Sequence, residues 1–246
     1  MIWKLLCLTL FFYACGSESR SVRSFSGADL NSGDQNAEEN PAGGENTPPP
    51  STEPLPPDSD VDPLTAGLAM IQIQKLKDEL TFIASDSFEG RLAATNGNAE
   101  VADYIIDELE ALEIAPPPGR DYRQVFKVKN GPMSGEETAN IIGVLPGNDP
   151  ILKNEYVVIG AHMDHAGTLN LGFTCSNGTS GANLICNGAD DNGSGTVSVL
   201  NVARALAKVR HKLKRTVVVM WFSAEEEGLE GSYYYVDKDP VFNLDK

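Results

Sequence analysis

The stretch on which the fold turns is Tyr156-Val157-Val158-Ile159-Gly160-Ala161-His162-Met163-Asp164-His165. Its first six residues form an uninterrupted apolar run rich in β-branched side chains, as expected of a strand covered on both faces of a sheet. The run ends abruptly in two imidazoles and a carboxylate. Working outward, a Gly/Asn/Ser-rich loop leads to Gly188-Ala189-Asp190-Asp191-Asn192-Gly193-Ser194-Gly195, and a second apolar run, Thr216–Phe222 (TVVVMWF), leads to Ser223-Ala224-Glu225-Glu226-Glu227-Gly228. Between the two runs, from about Gly195 to Val209, Val199, Val202, Leu206 and Val209 recur at helical spacing. Strand, helix and strand in that order predict a crossover unit of a parallel or mixed sheet. In such sheets, chemistry sits where strands end and loops begin.

The remaining segments add to this unit. Ile73, Leu76, Leu80 and Ile83 predict one helix; Val101, Ile105, Leu109 and Leu112 predict another behind Gly97-Asn98, stopped by Pro116-Pro117-Pro118. Ser85–Arg91 between them reads as a polar connection. The alternating QVFKV at 124–128 predicts a strand with one wet face, and Asn140–Leu145 another strand, closed by Pro146-Gly147.

The N-terminal quarter has a different composition. Lys4 followed by LLCLTLFFYA resembles the apolar core of an export signal and is too short to span a bilayer as a helix. Ala14-Cys15-Gly16-Ser17 resembles a bacterial lipoprotein processing site, so residues 1–15 are expected to be a signal of that type, with Cys15 lipidated and the chain periplasmic or outer-membrane associated. An ordinary secretory signal is the alternative. Residues 16–66 are rich in Ser, Gly, Asn, Glu and Pro and read as a disordered tether. Their ten acidic residues, against Arg20 and Arg23, supply half of the formal net charge of −16. The acidity therefore points to no special partner and disfavours nucleic acid. The membrane would be reached only through the N-terminal anchor, and residues 67–246 would be the folded part.

Once Cys7 and Cys15 are assigned to the leader, Cys175 and Cys186 remain, eleven apart in one loop. In an exported chain a disulfide is the simplest reading; a zinc-binding pair would usually be closer together and matched by a second pair.

A lone His after a strand is more often structural than a ligand, Asp190 and Asp191 could be turn formers with Ser194 as helix cap, and three glutamates could be a solvated turn. Three such clusters at strand ends change that balance, because His, Asp and Glu are the donors zinc accepts. An adjacent Glu pair also allows one carboxylate to bind metal while its neighbour handles a proton. Gly193-Ser194-Gly195 has the wrong spacing for a nucleophile elbow, and no phosphate-binding glycine pattern stands in its required context.

In order, SDSFEGR, NGNAEVADYI, ANIIGVLPG, VVIGAHMDH, NGADDNGSG and FSAEEEGLEGS resemble the secreted dizinc aminopeptidase family, which also includes glutamate carboxypeptidase-like and glutaminyl-cyclase-like members. The resemblance runs from about Leu76 to the end. It implies an α/β fold, three-layer α/β/α with a mixed, largely parallel central sheet of the phosphorylase/hydrolase-like type. It also implies a zinc exopeptidase acting on a peptide or aminoacyl substrate, with two zinc ions. His162 would bind one ion, Asp191 would bridge both and Glu226 would bind the other; Glu225 would be the general base and Asp164 the partner that orients His162. Asp190 and Glu227 receive no role, and His165 is a variant position that is not a ligand. The Asp191-Asn192 bond would be cis. The family takes a further carboxylate and a last histidine from beyond the Glu pair. No histidine follows Glu226, so the expectation is a fragment lacking two ligands, with its sheet incomplete at the C-terminus. An inactive binding module of the same fold and a related zinc carboxypeptidase or amidohydrolase are the alternatives.

Overall fold

A computed structural model of the chain describes residues 62–171, 175 and 184–245. The expected leader, Cys15 and nearly all of the expected tether lie outside the described residues. Helix α1, Pro63–Leu68, begins within the stretch that composition assigned to the tether's end. Its cap is local: the carboxylate of Asp62 accepts from the Thr65 backbone N–H, and proline at the first helical position is pre-set for the helix.

Helices α2 (Ile73–Ile83) and α3 (Asn96–Ala111) follow, then strands β1 (Arg123–Lys127), β2 (Glu137–Leu145) and β3 (Tyr156–His162), helix α4 (Ser194–Lys208), strand β4 (Thr216–Phe222) and helix α5 (Glu230–Asp237). The sheet order is β1-β2-β4-β3. The crossover prediction holds: β3 and β4 are parallel neighbours in the register Tyr156 to Thr216 through His162 to Phe222. The sheet is mixed, but the expected predominance of parallel pairing is corrected, since β1–β2 and β2–β4 are both antiparallel. Alternation and apolarity report which faces are covered; they carry no information on the direction of a neighbour.

β4 shows why the sheet has helices on both faces. Val217, Val219 and Trp221 pack with Ile141 and Leu145 of β2 against α3 and α4, through Ile105, Leu109, Leu200 and Ala203. Val218 and Met220 point the other way and meet Ile142, Tyr235 of α5 and, beyond it, Val241 and Phe242. β3 does not share this double cover. Among the described residues it is an edge strand, its residues are mostly half-buried, and Val157 is 41% exposed.

Within the helical layer Glu79, Glu108 and Arg204 are all buried and mutually paired. Tyr104 and Asn201 donate to Glu79 as well, at 3.1 and 2.9 Å. Among the described residues no helix is long and apolar enough to cross a membrane.

Candidate metal centre

Three strand ends converge, and the reason lies in the β3–β4 register. Because His162 pairs with Phe222, the residues just past them, Met163–His165 and Ser223–Glu227, leave the sheet side by side. Met163 N–H donates to the Phe222 carbonyl at 2.9 Å, which carries the pairing one residue further. The third contributor, the turn Ala189–Gly193, is tied to β3 through α4: the Thr196 hydroxyl donates to the His162 carbonyl at 2.9 Å, while the Trp221 indole N–H donates to the Thr196 carbonyl at 3.0 Å.

The turn into α4 differs from the expected cap. Ser194 is the first residue of the helix, and its hydroxyl donates back to the Asp190 carbonyl. Asn192 takes the capping role, its Oδ1 accepting from Gly195 N–H at 2.9 Å. The Asp191-Asn192 peptide is cis.

His162 Nε2 lies 3.2 Å from Asp191 Oδ1 and 4.0 Å from Glu225 Oε2. Burial lowers the basicity of this imidazole, but the Asp191 hydrogen bond and the charges of Asp164 and Glu225 outweigh it, and its pKa is pushed up to about 9. The same contact holds Asp191 below its usual value. Burial raises Glu225, with Asp164 and Glu226 adding to the rise against the lowering effect of His162.

Asp164 is fully buried and its Oδ2 accepts from Glu226 N–H at 3.2 Å, so it braces the loop carrying the glutamates. Its relation to His162 differs from the expectation. The imidazole Nδ1 is 3.3 Å from the Asp164 carbonyl oxygen and 3.8 Å from Oδ1, an ion-pair separation beyond hydrogen-bond reach. Oδ1 has no hydrogen-bond partner among the described residues, and burial raises its carboxyl.

The structure brings to the site two groups to which the sequence reading gave no role there, His165 and Arg91. His165 Nδ1 lies 2.6 Å from Glu226 Oε1. Arg91, in the segment read as a polar connection, has no solvent exposure. It donates from Nε to the Met163 carbonyl (3.1 Å), from one terminal nitrogen to Ile83 (2.8 Å) and Asn187 (2.6 Å), and from the other to Gly188 (2.9 Å). Burial lowers its pKa to about 10, against the raising influence of Asp164, Asp191 and Glu226. The clue available in the sequence was Glu89-Gly90, both at positive φ, which turn the chain so that Arg91 enters the interior.

Cys175 and Cys186 are joined in a disulfide with Cα atoms 5.3 Å apart. Cys186 N–H donates to the Gly167 carbonyl, two residues beyond His165. Glu227 is buried, neither carboxylate oxygen has a hydrogen-bond partner among the described residues, and burial together with Asp164, Glu226 and Glu230 pushes it up to about 8. Beneath the glutamate loop, Ser223 bonds Thr138, Asn98 and Asn140 in a buried polar network that fixes where β4 ends.

The donors present suit a divalent cation of the zinc class: two imidazoles and several carboxylates on a buried scaffold, with an unpaired Asp164 oxygen behind them. His165, Asp191 and Glu226 place their donor atoms within 4.8 Å of one another.

Residues 140–246 match Peptidase family M28. The chain is 32% identical over 151 residues to leucine aminopeptidase 1 of Fusarium vanettenii, covering 59% of this chain and 33% of that one. It is 28% identical over 179 residues to leupeptin-inactivating enzyme 1 of Streptomyces exfoliatus, covering 73% and 34%. The chain thus spans about a third of the length of these curated relatives. The crystal structure of Porphyromonas gingivalis glutaminyl cyclase superposes with a TM-score of 0.51 at 19% identity, over 68% of this chain and 55% of that one, a likeness of fold. Residues 140–246, which carry β3, β4 and every candidate metal and catalytic residue, are thus the part of the chain that is similar to Peptidase family M28.

Proposed function

We propose that this chain carries the core of a metal-dependent aminopeptidase that hydrolyses peptide bonds at a free N-terminus with a pair of zinc ions. The observation that carries the reading is the convergence of Asp191 Oδ1 and Glu225 Oε2 on His162 Nε2, at 3.2 and 4.0 Å, with Glu226 adjacent to Glu225 at the end of β4. Kinship with leucine aminopeptidases supports the substrate class.

His162, Asp191 and Glu226 would hold metal. A bound zinc pair supplies Lewis acidity toward the scissile carbonyl and toward water. Glu225, half-buried and with its carboxyl raised, is suited to take a proton from the attacking water and return it to the departing amine. Asp164 holds the Glu226 backbone in register while this happens, and Thr196 fixes the His162 carbonyl. Export as a lipoprotein, with Cys15 modified, is part of the same proposal and rests on the apolar leader.

Glu225→Gln tests the division of labour. The expected result is loss of hydrolysis of an aminoacyl anilide by at least ~100-fold with zinc content unchanged. Equal loss of zinc would make Glu225 a ligand and overturn its assignment as base.

A further inference from the structure

The two histidines of the HMDH motif diverge around Asp191. His162 Nε2 approaches Asp191 Oδ1 at 3.2 Å, while His165, three residues on, joins Asp191 and Glu226 in a second group whose three donor atoms lie within 4.8 Å of one another. It is the one such group among the described residues that contains both Asp191 and Glu226.

His165 is held there by the scaffold. Its backbone N–H donates to the Arg91 carbonyl at 3.3 Å, and the residue is 6% exposed. Its ring lies against the backbone of Gly188, where a Cβ would sit 2.4 Å from the imidazole Cδ2. Gly188 also has φ +56°, so glycine is required there both by conformation and by the ring beside it. The Arg91 side chain also donates to the Gly188 carbonyl, so one buried residue holds His165 through its backbone and Gly188 through its guanidinium.

We propose that His165 is a protein ligand, with Asp191 and Glu226, of one divalent metal ion of the zinc class, giving that ion three protein donors drawn entirely from residues 165 to 226. The inference deepens the metallopeptidase reading and rests on it. Zinc bonds to nitrogen and carboxylate oxygen are about 2.0–2.2 Å, which puts tetrahedral neighbours roughly 3.3 Å apart. The 2.6 Å His165–Glu226 contact would therefore open by somewhat under ~1 Å as the ion enters, within reach of small torsions of the two side chains. One imidazole and two carboxylates neutralise a divalent charge and leave a fourth position open, the donor count of catalytic zinc. The alternative is that His165 only hydrogen-bonds Glu226 and orients it.

The experiment separates these roles with the full 246-residue chain, stripped by chelation and titrated with zinc by calorimetry and with cobalt by visible absorption. In His165→Asn the amide nitrogen can stand where Nδ1 stood and keep the hydrogen bond to Glu226, yet it is a poor zinc ligand; His165→Ala removes both. Loss of an outer hydrogen bond costs roughly 10- to 100-fold in metal affinity. The expected result is a loss beyond that range for one metal equivalent in both variants, with altered cobalt absorption, while Glu225→Gln keeps that equivalent. Wild-type affinity and an unchanged cobalt spectrum in His165→Asn would make His165 an orienting partner and overturn the proposal. A wild-type chain that binds neither metal would overturn the metallopeptidase reading itself, an outcome distinct from a variant that matches a metal-binding wild type. Circular-dichroism melting of each variant separates a lost ligand from a lost fold, and a His165→Asn protein that melts like wild type and still loses the metal supports the assignment.

Discussion

The guanidinium of Arg91 holds the Gly188 carbonyl at 2.9 Å across 97 residues of chain. The same side chain holds Met163, so it ties the end of β3 to the loop that delivers Asp191. Arg91→Met would leave four backbone carbonyls without this donor. Each buried orphan costs about 1–3 kcal/mol, offset where water enters. We expect a net loss of roughly 3 kcal/mol in urea unfolding and weaker zinc binding, because both His165 and Asp191 lose their frame. A variant within ~0.5 kcal/mol of wild type would show that the clamp is dispensable.

Arg204 sits between Glu79 and Glu108 with all three groups buried. Arg204→Met removes a buried positive partner that both carboxylates share, which typically costs about 3–5 kcal/mol. Chemical denaturation at neutral pH measures this directly. The prediction fails if the variant unfolds at the wild-type midpoint.

Asp239 accepts from both terminal nitrogens of Arg120, at 2.6 and 2.9 Å, and this contact holds its carboxyl below the ordinary value. A group with a depressed folded pKa contributes stability above its unfolded pKa, and that contribution disappears as pH falls through the folded one. Both side chains are about a third or more exposed, so the contribution should stay under ~1 kcal/mol and shrink with salt. Comparing wild type with Asp239→Asn from pH 7 downward should show a gap at neutral pH that closes below the normal aspartate range. A gap independent of pH would exclude this origin.

The Cys175–Cys186 bond joins two cysteines only 11 positions apart in the sequence. Peptide mapping without reduction should recover the two cysteines linked, and Cys186→Ser should cost at most about 3 kcal/mol. Recovery of two free thiols from oxidised, exported material would contradict the pairing.

β3, α4 and β4 were legible because each depends on local properties: an apolar run long enough for a strand, or apolar residues three and four apart for a helix. The clusters at the strand ends were legible for the same reason, since a strand that stops delivers the next residues to the sheet's edge. Pairing direction was not, and the antiparallel β2–β4 ladder replaced the expected predominance of parallel strands. Ser194 and Asn192 exchanged the capping role because the backbone of the Ala189–Gly193 turn decides which side chain reaches Gly195 N–H. Composition and periodicity thus determined the crossover unit and the residue types at its ends. Tertiary structure alone decided that Arg91 is a buried clamp and that His165 faces Glu226, because those contacts join residues 61 to 97 positions apart, and their formation depends on how separate elements pack rather than on any pattern within one of them.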